Sequence, residues 1–207
     1  MQARLFAGAL AVLAAATPCA AASDNSSSIE ALALVALTRE TRATYTVVLA
    51  NYMYLPDGRE VAEWSAEFHD GIRHRVETPR DRMVADCETM TGTHLNLDRM
   101  EVSEEPYIAR VACGIQAVSP ILSARIAGER QTQFGVVTHL VVVDKELIRT
   151  YDVANNGALL GATITGRDGD KKLVARAVHY SEEVPADIFG ANSLGRSAVP
   201  PRLRNPG

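Results

Sequence analysis

Aromatic residues make up only 5% of this 207-residue chain, with a single tryptophan, and cysteines number three. Positive charge is not in excess, since 21 Lys and Arg face 25 Asp and Glu, for a formal net charge of −4. Phosphate binding needs clustered Lys and Arg, so this balance excludes nucleic acid as the main partner. The longest apolar run, residues 5–16, covers 12 positions. As a helix it rises only about 18 Å, short of the roughly 30 Å hydrocarbon core, so it forms no permanent membrane span.

Catalytic motifs are missing as well. The stretch Gly190-Ala191-Asn192-Ser193-Leu194-Gly195 lacks the spacing of a nucleophile elbow. His69, His74, His94, His139 and His179 form no H-x-x-x-H pair or equivalent ligand set. Residues 166–170 lack the ligand order and terminal Glu of a calcium loop. The reading is therefore of a non-enzyme, and no catalytic residue, metal ligand or cofactor is assigned.

What is present begins with residues 1–22. A basic start at Arg4, the apolar run, and small residues at Ala20, Ala21 and Ala22 form a secretory signal. Removing it from 207 residues leaves 185, a length that suits one domain. Export implies a periplasmic or secreted location and an oxidising compartment. Cys87 and Cys113, which remain after Cys19 leaves with the signal, are expected to form a structural disulfide; the close C-x-x-C spacing of a redox pair is absent.

Ser27 and Glu30 have capping-box spacing ahead of an apolar pattern, which predicts a helix over 28–42. From Thr44 the period changes to two. Asp57-Gly58, Asp70-Gly71, Asn156-Gly157 and Asp168-Gly169 then mark hairpin turns. Strands are expected at 44–54, 60–69, 72–78, 82–87, 108–116, 123–127, 136–144, 147–153, 159–165 and 171–180, with an irregular stretch at 86–105 and a turn at Thr91-Gly92. Arg73, Arg75 and Glu77 read as a solvated face opposite Glu63, Ser65 and Glu67. Residues 191–207, rich in Pro and Arg with little apolar content, read as a disordered tail after a single domain at 23–190.

Two strands are apolar on both faces. In 44–54, Tyr45, Val47, Leu49 and Met53 alternate with Val48, Ala50, Tyr52 and Tyr54, and Val136 to Val143 has the same character. Such strands need cover on both sides, by a helix, a second sheet or a ligand.

Residues Ser123 to Arg130 form a Gly-Glu/Arg element, Gly135 to Val143 a core strand, and Leu147 to Leu160 a strand-turn-strand ending in Asn-Gly-x-Leu-Leu. Val184-Pro185-Ala186-Asp187-Ile188-Phe189 makes a closing segment. This succession resembles the half-barrel family of periplasmic lipoprotein carriers and envelope-stress regulators (LolA/RseB-like). The resemblance implies an α+β fold, in which a curved antiparallel sheet, an incomplete β-barrel, packs on the N-terminal helix. It also implies a concave apolar pocket for an acyl chain or lipoprotein. The expected lining is Tyr45, Val47, Leu49, Trp64, Phe68, Leu140 and Val142. A closed core is the rival assignment for the same residues, in which case the protein is an exported interaction module. A hydrolase with an unrecognised site is the third.

Overall fold

Alternating β-branched and aromatic residues punctuated by Gly turns drive a meander, because each tight turn returns the chain antiparallel to itself. The computed structural model describes residues 27–40, 42–114 and 120–205, so the signal at 1–22 and the end of the strand expected at 108–116 lie outside the described residues. The elements are α1 (Ile29–Glu40), β1 (Tyr45–Tyr54), β2 (Glu60–Asp70), β3 (Arg73–Glu77), β4 (Asp81–Asp86), β5 (Thr91–Asn96), β6 (Glu101–Glu104), α2 (Pro106–Ala112), β7 (Ser123–Thr132), β8 (Gly135–Val143), β9 (Leu147–Val153), β10 (Leu159–Gly166) and β11 (Lys171–Ser181). All eleven strands form one antiparallel sheet in the order β6-β5-β4-β3-β2-β1-β11-β10-β9-β8-β7. Two meanders thus meet where β1 pairs with β11, and the edges β6 and β7 leave the curved sheet unclosed. The expected α+β class and incomplete barrel are what the chain forms. Among the described residues no helix is long and apolar enough to cross a membrane.

The four predicted Gly turns are present, with Gly58, Gly71, Gly157 and Gly169 all at positive φ. Two further hairpins have no such signal. Asp86 accepts from the backbone N–H groups of Glu88 and Thr89, and Asn96 accepts from that of Arg99. Met90 and Met100 then occupy the left-handed region four positions on, at φ 55° and 54°. These turns create β5 and β6 inside the stretch expected to be irregular. Thr91-Gly92 is accordingly strand rather than turn. Gly92 is required for another reason: a Cβ there would stand 2.9 Å from the backbone nitrogen of Ala109 in α2.

The described part of the expected strand at 108–116 is instead α2. Pro106 occupies its first turn, where its missing N–H costs nothing, and Ile108, Ala109 and Ala112 bury one helical face. The first helix is capped one residue later than expected. The Ser28 hydroxyl accepts from the N–H of Ala31, while that of Ser27 accepts from Ala124 and ties the helix to β7.

Cross-strand register places both helices on one face of the sheet. Ala31 and Val35 of α1 pack on Ala124, Leu140, Val142 and Val153, and Ala109 and Ala112 of α2 pack on Ala85. The other face, over β1 to β5, is covered by the C-terminal segment: Ile188 and Val199 join Val48, Ala66 and Phe68, and Leu194 joins Val84 and Leu95.

Residues 191–205 are therefore packed rather than disordered, and the reason lies in β3. The register sets Arg75 opposite Phe68 and Glu77 opposite Ala66, and Arg73 pairs with Asp70 rather than with a Glu of β2. Arg75 and Glu77 have 0% side-chain exposure and bond to each other at 2.7 Å. Arg75 also donates to the Ile188 and Arg196 carbonyls and the Ser193 hydroxyl, and Glu77 accepts from Ala198 N–H and the Ser197 hydroxyl. A segment with few apolar residues is held because its own backbone satisfies buried charges. The face expected to be solvated is the anchor for this cover.

Candidate functional site

Cross-strand register divides the seven residues expected to line one pocket between the two sheet faces, Trp64 and Phe68 on one and the other five on the helix-covered one. Tyr45 and Val47, with Leu49 beside them, pack on Val137, Ala158 and Leu160. Leu140 and Val142 lie beneath α1. Trp64 and Phe68 lie on the opposite face, in the cluster with Val48, Ile188 and Val199. The seven residues thus belong to three clusters.

A cavity remains in the third cluster. Between β1, β2, β11 and the C-terminal segment is a space of about 280 Å³ walled by Val48, Phe68, Val184, Pro185, Ala198 and Val199. Thr46, His179, Ser181, Glu183 and Pro200 complete its lining. The Thr46 hydroxyl donates to the Glu183 carbonyl at 2.7 Å, which sets the polar side of the opening. An apolar wall with a few fixed polar groups is the usual constitution of a small-molecule site. Of the seven expected residues, Phe68 lines this cavity. The sequence signal for the rest of the wall is the closing segment 184–189 together with Ala198 and Val199, two apolar residues inside the stretch expected to be disordered.

A larger hollow of about 500 Å³ lies at the rim of β4 and β5, between Met90, Pro106 and Phe189 on its apolar side and Asp86, Glu104 and Glu105 on its acidic side. Arg73 reaches over the Phe189 ring there, 5.1 Å from its centroid. A third cavity, of about 210 Å³ and polar lining, lies on β8 to β11.

The helix-covered face carries a buried polar cluster. His69 stacks on Tyr45 with ring centroids 4.3 Å apart and meets His74 at 3.8 Å. Burial, reinforced by the neighbouring His69 ring, lowers His74 to about 4, so this imidazole is neutral at physiological pH. Burial, with the nearby Glu67 charge, pushes the Tyr45 hydroxyl well above the usual phenol range. Burial opposes the Glu67 charge, but the His69 ring 3.6 Å away and the field of His74 outweigh it and hold the carboxyl below its ordinary value.

The Cys87–Cys113 disulfide lies beside this cluster and joins the end of β4 to the end of α2. The ligand-capable atoms of His74, Cys87 and Cys113 lie within 4.8 Å of one another, but both sulfurs are held in the disulfide and offer no thiolate to a metal. Ser193, the nearest approach to a nucleophile, takes a hydrogen bond from Arg75 and shares its one hydroxyl proton between the Ile188 and Gly190 carbonyls; among the described residues no base hydrogen-bonds to it.

No family model and no curated protein matches the chain. Solved structures do. An uncharacterized conserved protein from Thermus thermophilus superposes with a TM-score of 0.53 at 11% identity, over 84% of this chain and 97% of that one. That likeness shows a shared fold. Matches also include a LolA superfamily protein from Nitrosomonas europaea, at TM-score 0.41 and 10% identity over 79% of this chain and 99% of that one. The MucA/MucB complex from Pseudomonas aeruginosa matches at TM-score 0.43 and 10% identity, over 78% of this chain and 61% of that one.

Proposed function

We propose that this protein is an exported, non-catalytic binding protein that holds an acyl chain, free or carried on a lipidated partner, in the cavity beneath its C-terminal segment. The observation that carries this reading is the space of about 280 Å³ among Val48, Phe68, Val184, Ala198 and Val199. The space opens to solvent, so its apolar wall stays in contact with water until a ligand covers it. Each methylene moved from water onto that wall contributes about 0.8 kcal/mol.

The test is titration of the mature protein with a fluorescent fatty acid, alongside Ala198→Phe, which fills the cavity from the covering segment. Binding by the wild type and a loss of at least about tenfold in the variant, one ring's worth of displaced contact, is the expected result. No binding, or equal binding by both proteins, refutes the reading. The rival, an exported interaction module, is favoured by the rim hollow and by Met100 and Val102, exposed at and beside the short edge strand β6.

A further inference from the structure

The face of β11 that borders the apolar cavity through His179 and Ser181 continues along the strand, past a register irregularity, to Arg176 and Val174. Those two residues border the polar cavity of about 210 Å³. Three residue steps of extended chain lead from Arg176 to His179, roughly 10 Å. The two cavities are therefore neighbours on one side of the sheet.

The polar cavity is built on a row across four strands. Arg176 stands opposite Gly161, Gly161 opposite Asp152, and Asp152 opposite His139. Gly161 keeps the row open, because a Cβ there would lie 2.7 Å from the Asp152 carboxylate. Asp152 is only 8% exposed, and its two oxygens are taken by Arg130, reaching in from β7, and by His139 Nδ1 at 3.0 Å. Lys171 lies over the Tyr54 ring, 5.2 Å from its centroid, and among the described residues neither it nor Arg176 forms an ion pair with a carboxylate. Three cations, Arg130, Lys171 and Arg176, against one carboxylate leave this lining with a net charge of +2 when His139 is neutral, in a chain whose formal total is −4. Thr150 and Thr163 add hydroxyl donors on the same face.

We propose that this cavity is a head-group site: it binds the phosphate of a single-chain acyl amphiphile whose chain lies in the adjacent apolar cavity. Guanidinium groups match phosphate geometry through paired N–H donors, and the lysine adds a mobile point charge. Asp152 offsets one of the three charges, that of Arg130, which it holds in place, and leaves Lys171 and Arg176 to supply the net positive charge. The proposal rests on the acyl-binding reading and adds the chemistry of the head.

The test compares dodecyl phosphate, dodecyl phosphocholine, dodecyl maltoside and inorganic phosphate by calorimetric titration of the folded mature protein. Dodecyl phosphate is expected to bind about tenfold more tightly than the maltoside, and Arg176→Gln to abolish that preference while leaving maltoside affinity unchanged. Arg176 is exposed, so the variant is expected to fold, and its circular dichroism checks this. Equal affinity for all three head groups overturns the head-group site and leaves acyl binding standing. Inorganic phosphate binding as tightly as dodecyl phosphate identifies a free-anion site and overturns the link to the chain. If no dodecyl compound binds, both readings fall.

Discussion

Removing the Glu77 charge is expected to release the C-terminal cover and to cost far more than an ordinary surface substitution. Glu77 accepts from Arg75 Nε, the Ala198 N–H and the Ser197 hydroxyl, and lies 3.8 Å from Arg82 Nε, a buried donor without a hydrogen bond. Glu77→Gln preserves the volume but leaves the guanidinium of Arg75 buried with no counter-charge. Breaking a buried pair in this way costs about 3–5 kcal/mol. For a domain of this size that lowers Tm by about 6–20 °C. The single tryptophan, Trp64, packs in the cluster with Ile188 and Val199, so its fluorescence reports detachment of the segment during urea unfolding. Limited proteolysis of residues 191–205 supplies the second readout. The double variant Arg75→Met/Glu77→Leu leaves neither member of that pair facing an absent partner and is expected to cost less than the sum of the two single substitutions, because the pair is coupled. A loss below about 1 kcal/mol for Glu77→Gln, or a double variant that costs the sum of its parts, refutes the argument.

On the helix-covered face, His74 titrates at about 4 in the folded protein against an ordinary 6.5, so the unfolded chain takes up its proton first as pH falls. The stability that neutral His74 contributes is fully present above about 6.5 and is lost between there and about 4, by up to about 3 kcal/mol; His74→Gln is expected to flatten that slope in urea melts, and an unchanged slope speaks against it. Replacing both Cys87 and Cys113 by Ala opens a loop of sequence separation 26 and is expected to cost about 3 to 4 kcal/mol, read as a lower urea midpoint than the oxidised wild type. Gly92→Ala forces α2 off β5 through backbone contact and is expected to cost about 1–3 kcal/mol, whereas a neutral result means that the helix shifts freely.

Several features are legible in the sequence because their causes are local. Asp-Gly and Asn-Gly pairs are turn signals wherever they occur, and they set four of the hairpins. The β5 and β6 hairpins are not legible in that way, because their left-handed residues are methionines; their signal is the repeated spacing of an Asx residue four positions before Met, Asp86 to Met90 and Asn96 to Met100. At α2, Ile108 and Val111 suggest a strand. The i, i+1, i+4 burial of Ile108, Ala109 and Ala112, with Pro106 in the first turn, is helical.

The candidate site is harder to read, because a period of two says that residues share a face but not which cover that face receives. Tyr45 and Val48 have the same apolar character, yet one packs among β-strand residues beside His69 and the other lies under Val199.

Composition by itself determined that the chain carries no basic footprint for nucleic acid, and local patterns determined an α+β fold with a predominantly antiparallel sheet. The pairing of Cys87 with Cys113 was also readable, as a structural disulfide. Tertiary structure alone decided that a polar, Pro-rich tail is a covering segment. Its order comes from Arg75 and Glu77, whose charges sit on β3 more than a hundred residues away in the chain, and no local pattern encodes a partnership closed across that distance.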